Sequence, residues 1–184
     1  MSFRFLYLFL LFGVTYGFDV KSFSNDGSMG YDSLISNGLH SVKQNNIENA
    51  INLFIEAIDY DSSRVEAFYY LGTSYLTLCQ FRDTLCEESH FVLSKALDID
   101  PQYRKVYYNR GLSRICLYDF KGALHDFNKA IHVDSIDVDC YVNRGIVKII
   151  LKDTIGACSD FNKAIYFNTQ KDEKIERLQR YYCD

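Results

Sequence analysis

Between residues 31 and 171 the hydrophobic and polar positions form a block that returns at a fixed interval. Asp126-Phe127-Asn128-Lys129-Ala130-Ile131 recurs letter for letter as Asp160-Phe161-Asn162-Lys163-Ala164-Ile165, 34 residues later. Asn109-Arg110-Gly111 recurs as Asn143-Arg144-Gly145 at the same interval, and Tyr107 returns as Tyr141. Gly38 and Gly72 carry the glycine back through the chain at intervals of 34 and 39 residues. Ala57 and Ala96 do the same for Ala130. The five extra residues therefore fall between Gly72 and Ala96. A period of about 20–50 residues marks an architecture in which each unit buries its apolar face against the next. Four repeats result, about 31–63, 64–102, 103–137 and 138–171.

Polar punctuation divides each repeat into two helices. Asn46, Asp119 and Asp153 share one repeat position, and their side chains can accept from the free N–H groups that open a helix. Ser63-Arg64-Val65-Glu66 has capping-box spacing. Asp100-Pro101 places the single proline where a missing N–H is harmless, at the first position of a helix. Helices are expected near 32–44, 47–60, 64–78, 86–99, 103–117, 120–134, 138–151 and 154–167, with a longer loop over 79–85 exposing Arg82 and Asp83. After Lys171-Asp172-Glu173-Lys174, Ile175, Leu178 and Tyr182 share one helical face. The segment 172–184 reads as a cap over the last repeat's bare apolar surface.

The pattern resembles the tetratricopeptide repeat, a helix–turn–helix unit of about 34 residues. Repeat one supplies Leu34, Gly38, Ala50, Phe54 and Ala57 at the positions where that family carries large, small, small, aromatic and small residues. Repeat three supplies Tyr107, Gly111, Ala123, Phe127 and Ala130, and repeat four supplies Tyr141, Gly145, Ala157, Phe161 and Ala164. Repeat two supplies Phe68, Gly72 and Ala96, with Ser89 and Leu93 in place of the small and aromatic residues. The family's frequent proline is present only as Pro101. The resemblance implies an all-α fold: a right-handed superhelix of four repeats plus the C-terminal capping helix. Mid-helix glycine costs about 1 kcal/mol against alanine. It is expected here to let paired helices approach closely, with Ala50, Ala123 and Ala157 facing the glycines.

Residues 1–17 stand outside this pattern. Arg4 precedes an unbroken apolar run from Phe5 to Phe12, and Thr15-Tyr16-Gly17 ends with small residues where a signal peptidase reads. This predicts a secretory signal peptide cut after Gly17. The run is shorter than the roughly 20 residues that span a bilayer, though an uncleaved anchor is the alternative. Residues 18–30, rich in Ser, Gly, Asn and Asp, read as a linker.

Charge narrows the partners. Removing Arg4 leaves 19 of the 20 basic residues against 24 acidic ones. Such a balance disfavours nucleic acid and anionic membrane surfaces, which bind basic patches. No phosphate loop or nucleophile motif is present, so the chain does not read as an enzyme, and neither a cofactor nor a small-molecule substrate is expected. His125 and His132 lie seven apart on one helical face without a third ligand, so no metal site is assigned. Asp126 and Asp160 read as a solvated acidic face. All six cysteines lie after residue 17. An exported chain can oxidise them. Cys79 with Cys116, Cys79 with Cys86, and Cys158 with Cys183 are the conceivable bridges, and spacing does not choose among them.

The resemblance places binding in a concave groove lined by first helices, which grip extended peptides or helices. Matching positions are Ile35, Leu39, Tyr69, Thr73, Tyr108, Asn109, Leu112, Val142, Asn143 and Ile146. Val42, Leu76, Ile115 and Ile149 stand further along the same helices, with Asp32, Glu66, Lys105 and Asp139 at one edge. This implies an apolar, aromatic surface with an acidic rim. Some family members clamp a chaperone's C-terminal carboxylate with a lysine and an asparagine at the fifth and ninth repeat positions; neither residue stands there in this chain. The expected partner is an apolar or amphipathic protein segment. Self-association through open repeat ends, coverage by the linker, and a role as assembly factor of a secretion, pilus or outer-membrane machine are the alternatives.

Overall fold

The computed structural model describes residues 29–79, 84–169 and 172–183. The expected signal peptide, nearly all of the linker, and Arg82 and Asp83 lie outside the described residues. Among those described, nine α-helices follow one another and no strand occurs: α1 (Tyr31–Lys43), α2 (Ile47–Tyr60), α3 (Val65–Cys79), α4 (Thr84–Ile99), α5 (Arg104–Cys116), α6 (Phe120–Val133), α7 (Val138–Ile150), α8 (Thr154–Phe167) and α9 (Glu173–Cys183). Each helix packs on the next, and α3 also touches α5. The fold is a solenoid of four helix pairs closed by α9. No helix among the described residues is long and apolar enough to cross a membrane.

Helix pairs in repeats one, three and four are joined by the same tight turn. Asn45, Tyr118 and Lys152 take left-handed backbone angles (φ 59°, 59° and 65°) at equivalent positions. The next residue's N–H reaches five residues back, from Asn46 to Ser41 (2.9 Å), Asp119 to Arg114 (2.8 Å) and Asp153 to Lys148 (2.8 Å). That bond ties off orphan carbonyls of the ending helix. The same residue then caps the following helix: Asn46, Asp119 and Asp153 accept from the backbone N–H of Asn49, Gly122 and Gly156. One residue thus closes one helix and opens the next in these three repeats. Asp137 caps α7 similarly, from Cys140 N–H at 2.8 Å.

Two expected helix starts are different in the structure. The Ser63 hydroxyl donates to Asp61 at 2.7 Å instead of closing a capping box. Pro101 sits in the turn before α5, whose first residue is Arg104. There its carbonyl accepts from the Tyr107 hydroxyl at 3.0 Å.

The glycines face the second helix's large residue. The nearest atoms to a Cβ at Gly111 would be those of Phe127, from 2.8 Å; at Gly145 those of Phe161, from 2.5 Å. Gly38 faces Phe54 in the same way. The expected alanine partners are therefore not the closest. Ala50, Ala123 and Ala157 are buried, but the phenylalanine ring decides that no side chain fits. In repeat two Leu93 takes the ring's place, 2.6 Å from a Gly72 Cβ, and the buried Ser89 hydroxyl donates to the Gly72 carbonyl at 2.8 Å.

Candidate functional site

The identical runs of repeats three and four turn out to be two halves of one contact. Asp126 and Asp160 do not form a solvated face; both are buried (0% and 1% exposed). Arg110 donates to Asp126 from Nε at 2.9 Å and Nη2 at 2.8 Å, and Arg114 adds an ion pair at 2.9 Å. Arg144 holds Asp160 from Nε (2.8 Å) and Nη2 (2.5 Å), with Lys148 at 2.8 Å. Arg110 also reaches Ser94 of the preceding repeat, and Arg144 reaches Asn128. Bidentate arginine–carboxylate pairs supply the geometry that burial of charge demands. Each Asp is held by two cations of its own repeat.

The first helices line a cavity of about 310 Å³, bounded by Tyr69 of α3, Arg104, Lys105, Tyr108 and Asn109 of α5, and Asp137 and Asp139 at the start of α7. A second cavity of about 230 Å³ lies between α1 and α3 and includes Leu39, Tyr69, Thr73 and Tyr70. The structure thus brings Tyr69, Tyr108 and Asn109 together, and Leu39 and Thr73 beside them. Ile35, Leu112 and Val142 are half-buried and pack onto the core clusters. Ile146 is half-buried on α7.

Tyrosine and asparagine alternate between repeats along this surface. Asn109 stands with Tyr69 in the cavity wall, and its Nδ2 donates to the Lys105 carbonyl at 2.8 Å. One repeat later, Asn143 Nδ2 donates to the Tyr108 hydroxyl at 3.2 Å and to the Asp139 carbonyl at 2.9 Å. With its donors so engaged, Asn143 keeps its carbonyl oxygen as the remaining acceptor. Tyr69 further packs on Tyr103, ring centroids 5.4 Å apart. Burial first, and then Asp139, push Tyr108 up to about 12. Burial also raises Tyr69. Both therefore stay neutral hydroxyls at physiological pH.

Sequence reading missed Arg104 and Asp137, which pair with each other within the cavity wall. The signal was present: each sits at the mouth of a first helix, in adjacent repeats, where stacked units abut. Their presence makes the cavity more polar than the apolar surface expected.

Two bridges occur among the described residues, Cys79–Cys86 and Cys158–Cys183. Cys79 therefore bonds to Cys86 and not to Cys116. The first bridge spans the insertion of repeat two. The second pins α9 to α8, where Ile175 is buried with Tyr141 and Ala164, and Tyr182 stacks on Phe161. His125 and His132 are both exposed.

No family model matches the sequence. Over 97 residues it is 31% identical to human and rat serine/threonine-protein phosphatase 5, a match covering 53% of this chain but 18% of those proteins. Among solved structures, MamA superposes with a TM-score of 0.70 at 17% identity, covering 83% of this chain and 85% of that one. PilF of Pseudomonas aeruginosa gives 0.70 at 21% identity, covering 83% and 67%. The first tetratricopeptide domain of RPAP3, solved with an HSP90 peptide, gives 0.62 at 18% identity, covering 66% and 93%. Repeat pattern and superposition together show that this chain has the fold of a tetratricopeptide-repeat solenoid.

Proposed function

We propose that the chain is a non-catalytic scaffold that holds an amphipathic segment of another protein against its first helices. The supporting observation is the cavity where Tyr69, Tyr108 and Asn109 meet between Arg104, Lys105, Asp137 and Asp139. Rigid phenol rings offer apolar contact at low entropic cost, and the amide oxygens suit a peptide N–H. Charges of both signs at the rim fit a segment that is itself mixed. A chaperone-tail carboxylate is a poorer fit, because the fifth and ninth positions of repeat one are Ile35 and Leu39. Crosslinking capture with wild type beside a Tyr69→Ala/Tyr108→Ala variant tests this reading. The partner should be lost while circular dichroism stays unchanged. Undiminished capture moves the site off the groove, and self-crosslinks alone favour assembly through the repeat ends. Recovery of secretion or pilus components lost with the variant assigns the scaffold to assembly of such a machine.

The same reading places the chain in an exported compartment, cut after Gly17. Two bridges in so small a chain support an oxidising environment. Sequencing the mature N-terminus should begin at Phe18; an intact Met1 start would point to the uncleaved anchor.

A further inference from the structure

Three cysteines meet where repeats two and three abut. Cys79 closes α3, Cys86 lies in the first turn of α4, and Cys116 is the last residue of α5. Their sulfurs all lie within 4.8 Å of one another. Cys79 and Cys86 are joined, and each is 3% exposed. Cys116 is an exposed thiol beside them. Thiol–disulfide exchange requires a thiolate within reach of a disulfide sulfur and access for the incoming thiol. The buried pair offers little access by itself, whereas Cys116 has both the reach and the exposure.

We propose that Cys79, Cys86 and Cys116 form an exchange site through which the buried disulfide trades with thiols in solution. The Cys116 thiolate attacks the Cys79 sulfur. The Cys79–Cys86 bond breaks, and its electron pair leaves with Cys86, which takes up a proton equivalent to the one Cys116 gave up. The new Cys79–Cys116 bond joins α3 to α5, so the bridge moves from within repeat two to between repeats two and three. A solvent thiolate then attacks the exposed Cys116 sulfur, Cys79 leaves as thiolate, and a second solvent thiol releases Cys116. In sum, two solvent thiols are oxidised to one disulfide and the Cys79–Cys86 bond is reduced to two thiols. Attack on Cys86 follows the same path with the roles of Cys79 and Cys86 exchanged. Cys158–Cys183 has no third cysteine gathered beside it among the described residues, which makes it an internal reference.

The test incubates the oxidised full-length chain with reduced glutathione, quenches in acid, blocks thiols with N-ethylmaleimide and maps linkages by peptide mass. The expected result is a transient Cys79–Cys116 or Cys86–Cys116 linkage and glutathione carried on Cys116. Cys116→Ser should slow opening of Cys79–Cys86 by about tenfold or more, because exchange depends on access to a sulfur. Cys158–Cys183 should open at the wild-type rate. Cys116→Ala repeats the measurement, with circular dichroism confirming the fold of both variants. Equal opening of Cys79–Cys86 in wild type and variants overturns the proposal, as does equal slowing of both bridges.

Discussion

Repeats three and four place a buried arginine–aspartate pair where repeats one and two place something else. In repeat two the residues equivalent to Arg110 and Asp126 are Leu71 and Val92, which share one buried apolar cluster. In repeat one they are Asn37 and Leu53: Leu53 packs on the core, and Asn37 donates to the Met29 sulfur at 2.9 Å. The backbone is the same helix pair in each case. The ionic set is therefore one of several ways to fill a site that the fold makes regardless. It does add direction, because Arg110 and Arg144 each bond both to their own repeat and to the one before. An apolar pair has no such preference for one register.

The largest effect should come from breaking the ionic set on one side. Asp126→Ala leaves Arg110 and Arg114 in a site where they are largely shielded, at a cost of about 3–5 kcal/mol. Val92→Ala, the matching change in repeat two, removes two methyl groups and should cost about 2 kcal/mol. Denaturant midpoints of the two variants measure the difference, and equal losses would mean that the two sites are energetically alike. A much smaller effect is expected when the whole set is exchanged. Arg110→Leu, Arg114→Tyr and Asp126→Val together install the residues that repeat two carries as Leu71, Tyr75 and Val92. Since an apolar replacement of a buried ionic set is often neutral, stability should stay within about 1 kcal/mol of wild type. A loss as large as that of Asp126→Ala would show that repeat three has come to require its charges.

The sequence by itself determined the fold, because a period of 34 residues carries a helical pattern that only stacking can bury. It also determined the turn chemistry: Asn46, Asp119 and Asp153 cap as their spacing required, since capping is local and needs no distant partner. Tyr69 and Tyr108 were readable as one lining because they share a register position on successive first helices, and Asn109 follows the second of them into the same cavity wall. What the chain alone left open depends on pairing across helices. Asp126 looked solvated because its partner Arg110 lies 16 residues away, on a helix whose facing angle is set by packing. Gly111 looked like a place for Ala123, but the ring of Phe127 fills that space, and ring placement is a matter of tertiary volume. Arg104 and Asp137 joined the cavity because two repeat ends abut there. The cysteines are the plainest case: six thiols admit many pairings, and only the positions of the ends of α3, α4 and α5 decided that Cys79 meets Cys86 with Cys116 beside them.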